Sequence, residues 1–290
     1  MKEHYIAARG LTGQMVDHII MPSSAMLPGG KWQDPQDQSE DQNFLIGSKL
    51  VIDDRVFRYC KAESDLRALI GAKNASYPRE GNTAAVEYLA GTDQITLALN
   101  DHSVDYDAEQ LADYWKGGYI WIMWGPTDTR GYGQMYRIKS NTAAAGTIPT
   151  RYVILTLETP LRVTVPASAW HTAWPNVYRN VKRSDSARMS VVCVPLIPVT
   201  SGRYFWGQTW GPIFMSCTHA APGLTDNDRE IYFHESNHGE IVPGSQVVFT
   251  AGQPFNQRAG FLITNTTAWT NVGDGSELGG DQFIMLQLSP

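Results

Sequence analysis

Residues His234-Glu235-Ser236-Asn237-His238 satisfy the pattern H-E-x-x-H. In zinc hydrolases a helix carries the two histidines of that pattern on one face and sets the glutamate beside the metal-bound water. The neighbouring residues do not support such a helix. Glu-Ile-Tyr-Phe (230–233) has the alternation of a strand, Ser236 and Asn237 are weak helix formers, and Gly239 follows at once. Three residues beyond His238, where one branch of zinc proteases carries glycine, stands Ile241, and the next glutamate after Glu240 is Glu277. The segment reads instead as a hairpin: a strand to His234, a turn through Gly239 and a second strand from Glu240, with no metal at His234 or His238.

Other motifs give less. The chain has no G-x-S-x-G, G-x-x-x-x-G-K-[ST] or G-x-G-x-x-G. Asp226-Asn-Asp-Arg-Glu230 resembles part of a calcium loop but lacks its glycine, and reads as a polar turn. Asn74-Ala-Ser76 and Asn265-Thr-Thr267 fit the glycosylation sequon, which has meaning only on a secretory route. Cys60, Cys193 and Cys217 are odd in number and share no C-x-x-C spacing, so they read as buried, inert thiols. Trp115, Trp121, Trp124, Trp206 and Trp210 could stack on sugars or bases, although aromatics at strand positions more often fill cores or subunit interfaces. Linear spacing singles out no acid–base pair among 29 acidic residues and seven histidines. The expectation is a non-enzyme without catalytic, cofactor-binding or metal-binding residues.

The elements that would position any site are strands. Apolar runs recur at 49–62, 93–99, 119–125, 134–141, 151–165, 190–199, 203–217, 230–234, 245–252, 260–265 and 282–288, with Gly, Pro, Asn and Asp in the gaps. Such spacing predicts a mainly β chain, an antiparallel sandwich or jelly-roll-like barrel. One or two short helices are expected, at 107–115 and within 63–71. In the run 203–217, Tyr204, Trp206, Gln208 and Trp210 share one face, while the other carries Phe205, Gly207, Thr209 and Gly211. Residues 1–45 differ from the rest: Pro22, Pro28, Gly29 and Gly30 interrupt them, and 33–43 has no aliphatic residue. They read as an extended arm, loosely held until it meets a partner. The remainder, 46–290, reads as a β-rich body, possible as two subdomains at about 46–185 and 186–290.

At 290 residues the chain is long enough to bury a core without disulfide or metal staples. Only 18% of residues are charged, 42% are apolar and 11% are aromatic, which excludes a disordered chain or a coiled coil. No apolar run reaches bilayer length. Glu3, His4, Arg9 and Asp17 argue against a secretory signal. Net charge is −6, yet 137–203 holds nine Lys/Arg against Glu158 and Asp185. That run could orient the protein on an acidic partner.

Two segments carry a resemblance. In the stretch from Gly47 to Ser76, residues Asp53, Arg55, Val56, Phe57, Arg58 and Tyr59 match a strand pair, "D-G-R-V-F-R-Y", in virion proteins of tailed bacteriophages, with Asp54 at the usual glycine. From Tyr114 to Asn141, residues Tyr114, Gly118, Gly131, Gly133, Tyr136, Ile138 and Asn141 are similar to a second segment of that group. The segments 155–165, 174–181 and 202–215 resemble it more loosely. The resemblance implies a structural virion component located in the virion and assembled in the host cytoplasm. A capsid decoration or cement protein is the first expectation. It would be a homotrimer contacting the major capsid protein, with no membrane and no direct nucleic-acid contact. A tail, head-fibre or baseplate β-protein with a host-binding surface is the alternative; a β-sandwich hydrolase or carbohydrate-binding module ranks below both.

The hairpin reading makes one measurement decisive for the metal. Elemental analysis of the purified protein is expected to find no stoichiometric zinc. Zinc at one equivalent that disappears in His238→Ala would contradict it.

Overall fold

The computed structural model describes residues 3–6, 19–22, 26–76, 79–83, 86–99, 111–123, 133–146, 151–167, 169–184, 189–217, 229–234, 239–244, 257–263 and 279–290. The protein is mainly β, with half of its residues in strands. Two compact units are present: unit 1 comprises 1–75 and 178–290, and unit 2 is the continuous stretch 76–177.

The strands before the insertion are β1 (Glu3–Ile6), β2 (Ile19–Pro22), β3 (Gln38–Ser39), β4 (Lys49–Ile52), β5 (Arg55–Lys61) and β6 (Ala72–Asn74). Unit 2 holds β7 (Arg79–Thr83), β8 (Gln94–Ala98), β9 (Tyr119–Ile122), β10 (Gln134–Asn141), β11 (Tyr152–Leu157) and β12 (Trp170–Trp174). The chain returns to unit 1 with β13 (Val181–Lys182), β14 (Val191–Pro195), β15 (Tyr204–Cys217), β16 (Glu230–Phe233), β17 (Ile241–Pro243), β18 (Arg258–Leu262) and β19 (Gly279–Gln287). β15 explains why the division is an insertion and not two successive halves near 185. It pairs with β3 and β5 from before unit 2, and with β14, β17 and β19 from after it. Both flanks of unit 2 therefore belong to one sheet system.

In unit 1 the expected hairpin at 49–62 forms, with Ile52 opposite Arg55 and Asp53 at φ 53° in the two-residue loop. β15 is buried on both faces. Trp206 packs with Phe44, Leu50, Phe57 and Tyr59. On the other face Phe205 packs with Cys60, Leu66, Val181, Cys193 and Val199. Farther along, Ile213, Met215 and Cys217 join Ile231, Phe233, Ile241, Ile284 and Leu286. The small residues Gly207 and Thr209 leave room for the second layer, so the face that looked only half apolar is also interior.

Unit 2 is a six-stranded antiparallel sheet in the order β7-β12-β9-β10-β11-β8. Its inward residues, among them Ile95, Leu97, Ile120, Ile138, Val153, Leu155 and Ala173, form a core with Trp115. Neither expected helix is found among the described residues. Residues 107–110 lie outside the described residues, and 111–117 form a turn in which Asp113 has φ 61°. Asn141 holds that turn: its Oδ1 accepts from the Trp115 amide at 2.7 Å, and its Nδ2 donates to the Leu111 carbonyl at 3.0 Å. At 63–71 the backbone is drawn into tertiary pairs instead, with Leu66 bridged to Val199 and Leu69 at φ 61°. Among the described residues no helix is long and apolar enough to cross a membrane.

The stretch 33–43, expected to have nothing to bury, buries polar side chains instead. Gln33 Oε1 accepts from Tyr59 Oη at 2.7 Å and from Asn43 Nδ2 at 3.2 Å, while Gln33 Nε2 donates to the Tyr204 carbonyl at 2.8 Å. Trp206 Nε1 donates to the Gln33 carbonyl at 2.9 Å, and the Lys31 amide donates to Asn43 Oδ1 at 2.9 Å. Burial pushes the Tyr59 phenol well above its usual range, which keeps it a neutral donor. Each buried polar group is worth little net while paired but costs its full desolvation when orphaned. Gln33→Ala is therefore expected to destabilise the protein by about 2–4 kcal/mol in chemical denaturation. The exposed neighbour, as Gln36→Ala, is expected to change stability by no more than about 0.5 kcal/mol. Equal effects of the two would refute the anchoring role.

Candidate interaction face

Period-two alternation in unit 2 sends one set of side chains into the core and the other outward. On β9, Ile120 and Ile122 are buried while Tyr119 and Trp121 are exposed. On β12, His171 and Ala173 face inward while Trp170 and Trp174 are exposed, with Thr172 shielded between them. On β10, Tyr136 and Ile138 are buried while Met135, Arg137 and Lys139 are exposed. Register brings the outward residues together. Trp121 stands between Thr172 and Met135, and Tyr119 stands between Trp174 and Arg137. Directly opposed side chains on neighbouring strands lie within contact range. Tyr119, Trp121, Met135, Trp170 and Trp174 are each between 37% and 66% exposed. Five large apolar side chains on three adjacent strands form a continuous outer surface, not scattered single exposures.

The polar residues that border the face on β10 are cationic. Lys139 is exposed, and Arg137 is held 3.5 Å from Glu158 in a half-exposed ion pair that screening makes weak. The basic run 137–203 as a whole is divided between the units: Arg137, Lys139, Arg151 and Arg162 fall in unit 2, and Arg179, Lys182, Arg183 and Arg203 in unit 1.

The supports beneath this face include the residues of the second resembling segment. Tyr114 and Ile138 are core residues. The Gly117 amide donates to the Ile138 carbonyl at 2.8 Å, and the Ile138 amide donates to the Gly118 carbonyl at 2.9 Å. A side chain at Gly118 would collide with the Trp174 carbonyl, so glycine there lets β12 close on β9. Tyr136 Oη donates to Gln134 Oε1 and accepts from the Arg162 amide at 2.8 Å. Gly131 lies outside the described residues.

The other sequence candidates fall elsewhere. His234 follows β16, and its amide donates to the Glu240 carbonyl at 2.8 Å; β16 and β17 pair with Phe233 opposite Ile241. That is the hairpin expected at this point; Glu235 and His238 lie outside the described residues. No group of three metal-ligating side chains occurs among the described residues. Arg58 donates to the Gly47 and Pro290 carbonyls, and the Arg55 guanidinium lies 5.6 Å from the Phe57 ring centroid. Trp115 and Trp206 are core residues and Trp210 is half-buried; Trp124 lies outside the described residues. Of the described tryptophans singled out in the sequence, only Trp121 belongs to the exposed face. Trp170 and Trp174 were missed, although their spacing around Thr172 is the alternation of a strand with one aromatic side.

His171 sits under this face, between the two exposed tryptophans. Burial pushes it down to about 4, with backbone hydrogen bonds at Thr96 and Ala169 offsetting part of the effect. Its folded value lies below the ordinary 6.5. The unfolded chain therefore binds more protons between these values, and stability falls as pH drops from about 6.5 toward 4. The shift corresponds to about 3 kcal/mol of stability present at neutral pH. Denaturation curves of the wild type and of His171→Gln are expected to diverge in pH slope across that window, the variant being flatter by roughly that amount. Parallel slopes would contradict the assignment. No family model matches the chain, and no curated protein or solved structure matches it.

Proposed function

We propose that this chain is a non-enzymatic structural component of a tailed-phage virion. In this reading it is a capsid decoration or cement protein that attaches through the outer face of unit 2. The observation that supports the reading best is the continuous exposed row of Tyr119, Trp121, Met135, Trp170 and Trp174 over a fully packed sheet. Large aromatic side chains held rigid by a strand lose little entropy on docking and concentrate binding energy at interfaces. The cationic rim at Arg137 and Lys139 suits an acidic capsid surface and gives attachment a moderate salt dependence. The resembling segments supply the phage assignment. Closed symmetry is the usual way for copies to bury such patches, and a trimer suits threefold positions of a capsid lattice.

A second reading has its own support. Exposed Trp and Tyr rings on one face also stack on sugar rings, which suits a head-fibre, tail or baseplate protein that touches a host glycan.

Sedimentation of the purified protein with undecorated capsids separates the two. The decoration reading expects an oligomer, co-sedimentation with capsids, and at least a tenfold loss of attachment in the double variant Trp170→Ser/Trp174→Ser with an unchanged circular dichroism spectrum. A protein that stays monomeric at high concentration and ignores capsids at low salt removes the decoration reading in favour of the second.

A further inference from the structure

Cys60 on β5 and Cys193 on β14 are both fully buried, and their sulfur atoms lie 3.6 Å apart in the layer between β15 and its cover. Cys60 Sγ also donates to the Arg58 carbonyl at 3.2 Å. β15 accommodates the pair with a glycine. A Cβ at Gly207 would lie 2.6 Å from Cys193 Sγ and 2.7 Å from its Cβ. Gly207 has no left-handed φ to explain it, so the contact with Cys193 is what excludes a side chain. The two thiols are 133 residues apart in sequence, and the chain between them contains all of unit 2.

We propose that Cys60 and Cys193 are an oxidisable pair that closes to an intrachain disulfide when peroxide reaches the core of unit 1. The oxidant is hydrogen peroxide. One thiolate attacks a peroxide oxygen, the O–O bond breaks, and the products are a sulfenic acid and hydroxide. The second thiolate then attacks the sulfenic sulfur, the S–S bond forms and the S–O bond breaks. The two thiol protons end in water, so two thiols and one peroxide yield one disulfide and two waters. Closure shortens the sulfur separation from contact distance to about 2.05 Å. Burial raises the Cys60 thiol well above its ordinary value, so the reaction is slow and follows transient opening of the core. The product would tie together the two chain segments of unit 1 that flank the insertion. The inference uses unit 1 alone and is independent of the assembly reading.

The full chain is reduced, exposed to hydrogen peroxide, blocked at free thiols under denaturing conditions, and digested without reductant. The expected map joins the Cys60 peptide to the Cys193 peptide and recovers Cys217 blocked. The thermal unfolding midpoint is expected to rise by roughly 10 °C because the cross-link closes a long loop, and to return on reduction. Cys193→Ala is expected to lose both the link and the reductant-sensitive shift. Recovery of Cys60 and Cys193 as separately blocked thiols or as sulfinic acids overturns the proposal, as does a link through Cys217. The map of the wild-type chain decides the matter even if the variant does not fold.

Discussion

β15 must be covered on both faces and along both edges, and unit 1 is the set of segments that do so. Its fourteen residues include only one exposed position, Phe214, and alternate between two cores. A strand of that kind cannot exist at an open sheet surface, because its aromatic and aliphatic side chains would face water on at least one side. Gln208 and Thr209 are buried within it, where Gln208 Nε2 donates to the Trp210 and Pro212 carbonyls and Thr209 Oγ1 donates to the Ser289 carbonyl. Bulges relieve the length: register shifts between Gln208 and Trp210 against β5, and between Met215 and Cys217 against β19. Gly211 at φ 98° lies where a side chain would press on the Asp54 carbonyl, next to the first of these shifts.

The same demand explains the polar stretch near the N-terminus. Phe44 and Trp32 bring rings to the Trp206 and Tyr59 cluster, with Phe44 and Trp206 centroids 5.0 Å apart. Their neighbours Gln33 and Asn43 enter the interior because each carries both donors and acceptors and can satisfy the backbone and phenol groups exposed there. Unit 2 answers a different constraint. One sheet packs its core against one face, so its outer face is free of internal packing duties. What remains on that face is a choice of residue type, and in β9, β10 and β12 the choice is aromatic, apolar and cationic.

Sequence pattern made the strands legible wherever apolar runs were continuous: β8, β10, β15 and the β4–β5 hairpin fall where alternation puts them. It failed where tertiary partners decide the backbone. The 63–71 segment has helical residues but pairs through Leu66 with Val199. β3 consists of Gln38 and Ser39 and exists only because the β15 edge supplies its hydrogen bonds. The nesting of the units could not be read from local pattern, since it depends on β5 meeting β15 across the whole of unit 2. The candidate face was half legible. Trp121 and Tyr119 lie on a recognised strand, but Trp170-His-Thr-Ala-Trp174 was too short and too polar to register as one. The Cys60–Cys193 contact joins residues whose proximity follows from that same nesting, so spacing alone left them as unrelated thiols.

The central claim is that the outer face of unit 2 is an attachment surface. Imaging of assembled virions at side-chain resolution tests it most directly. The account predicts copies of this chain on the capsid shell with Trp121, Trp170 and Trp174 buried against a neighbouring subunit. Copies confined to the tail, or copies on the head with those three rings facing solvent, would contradict it.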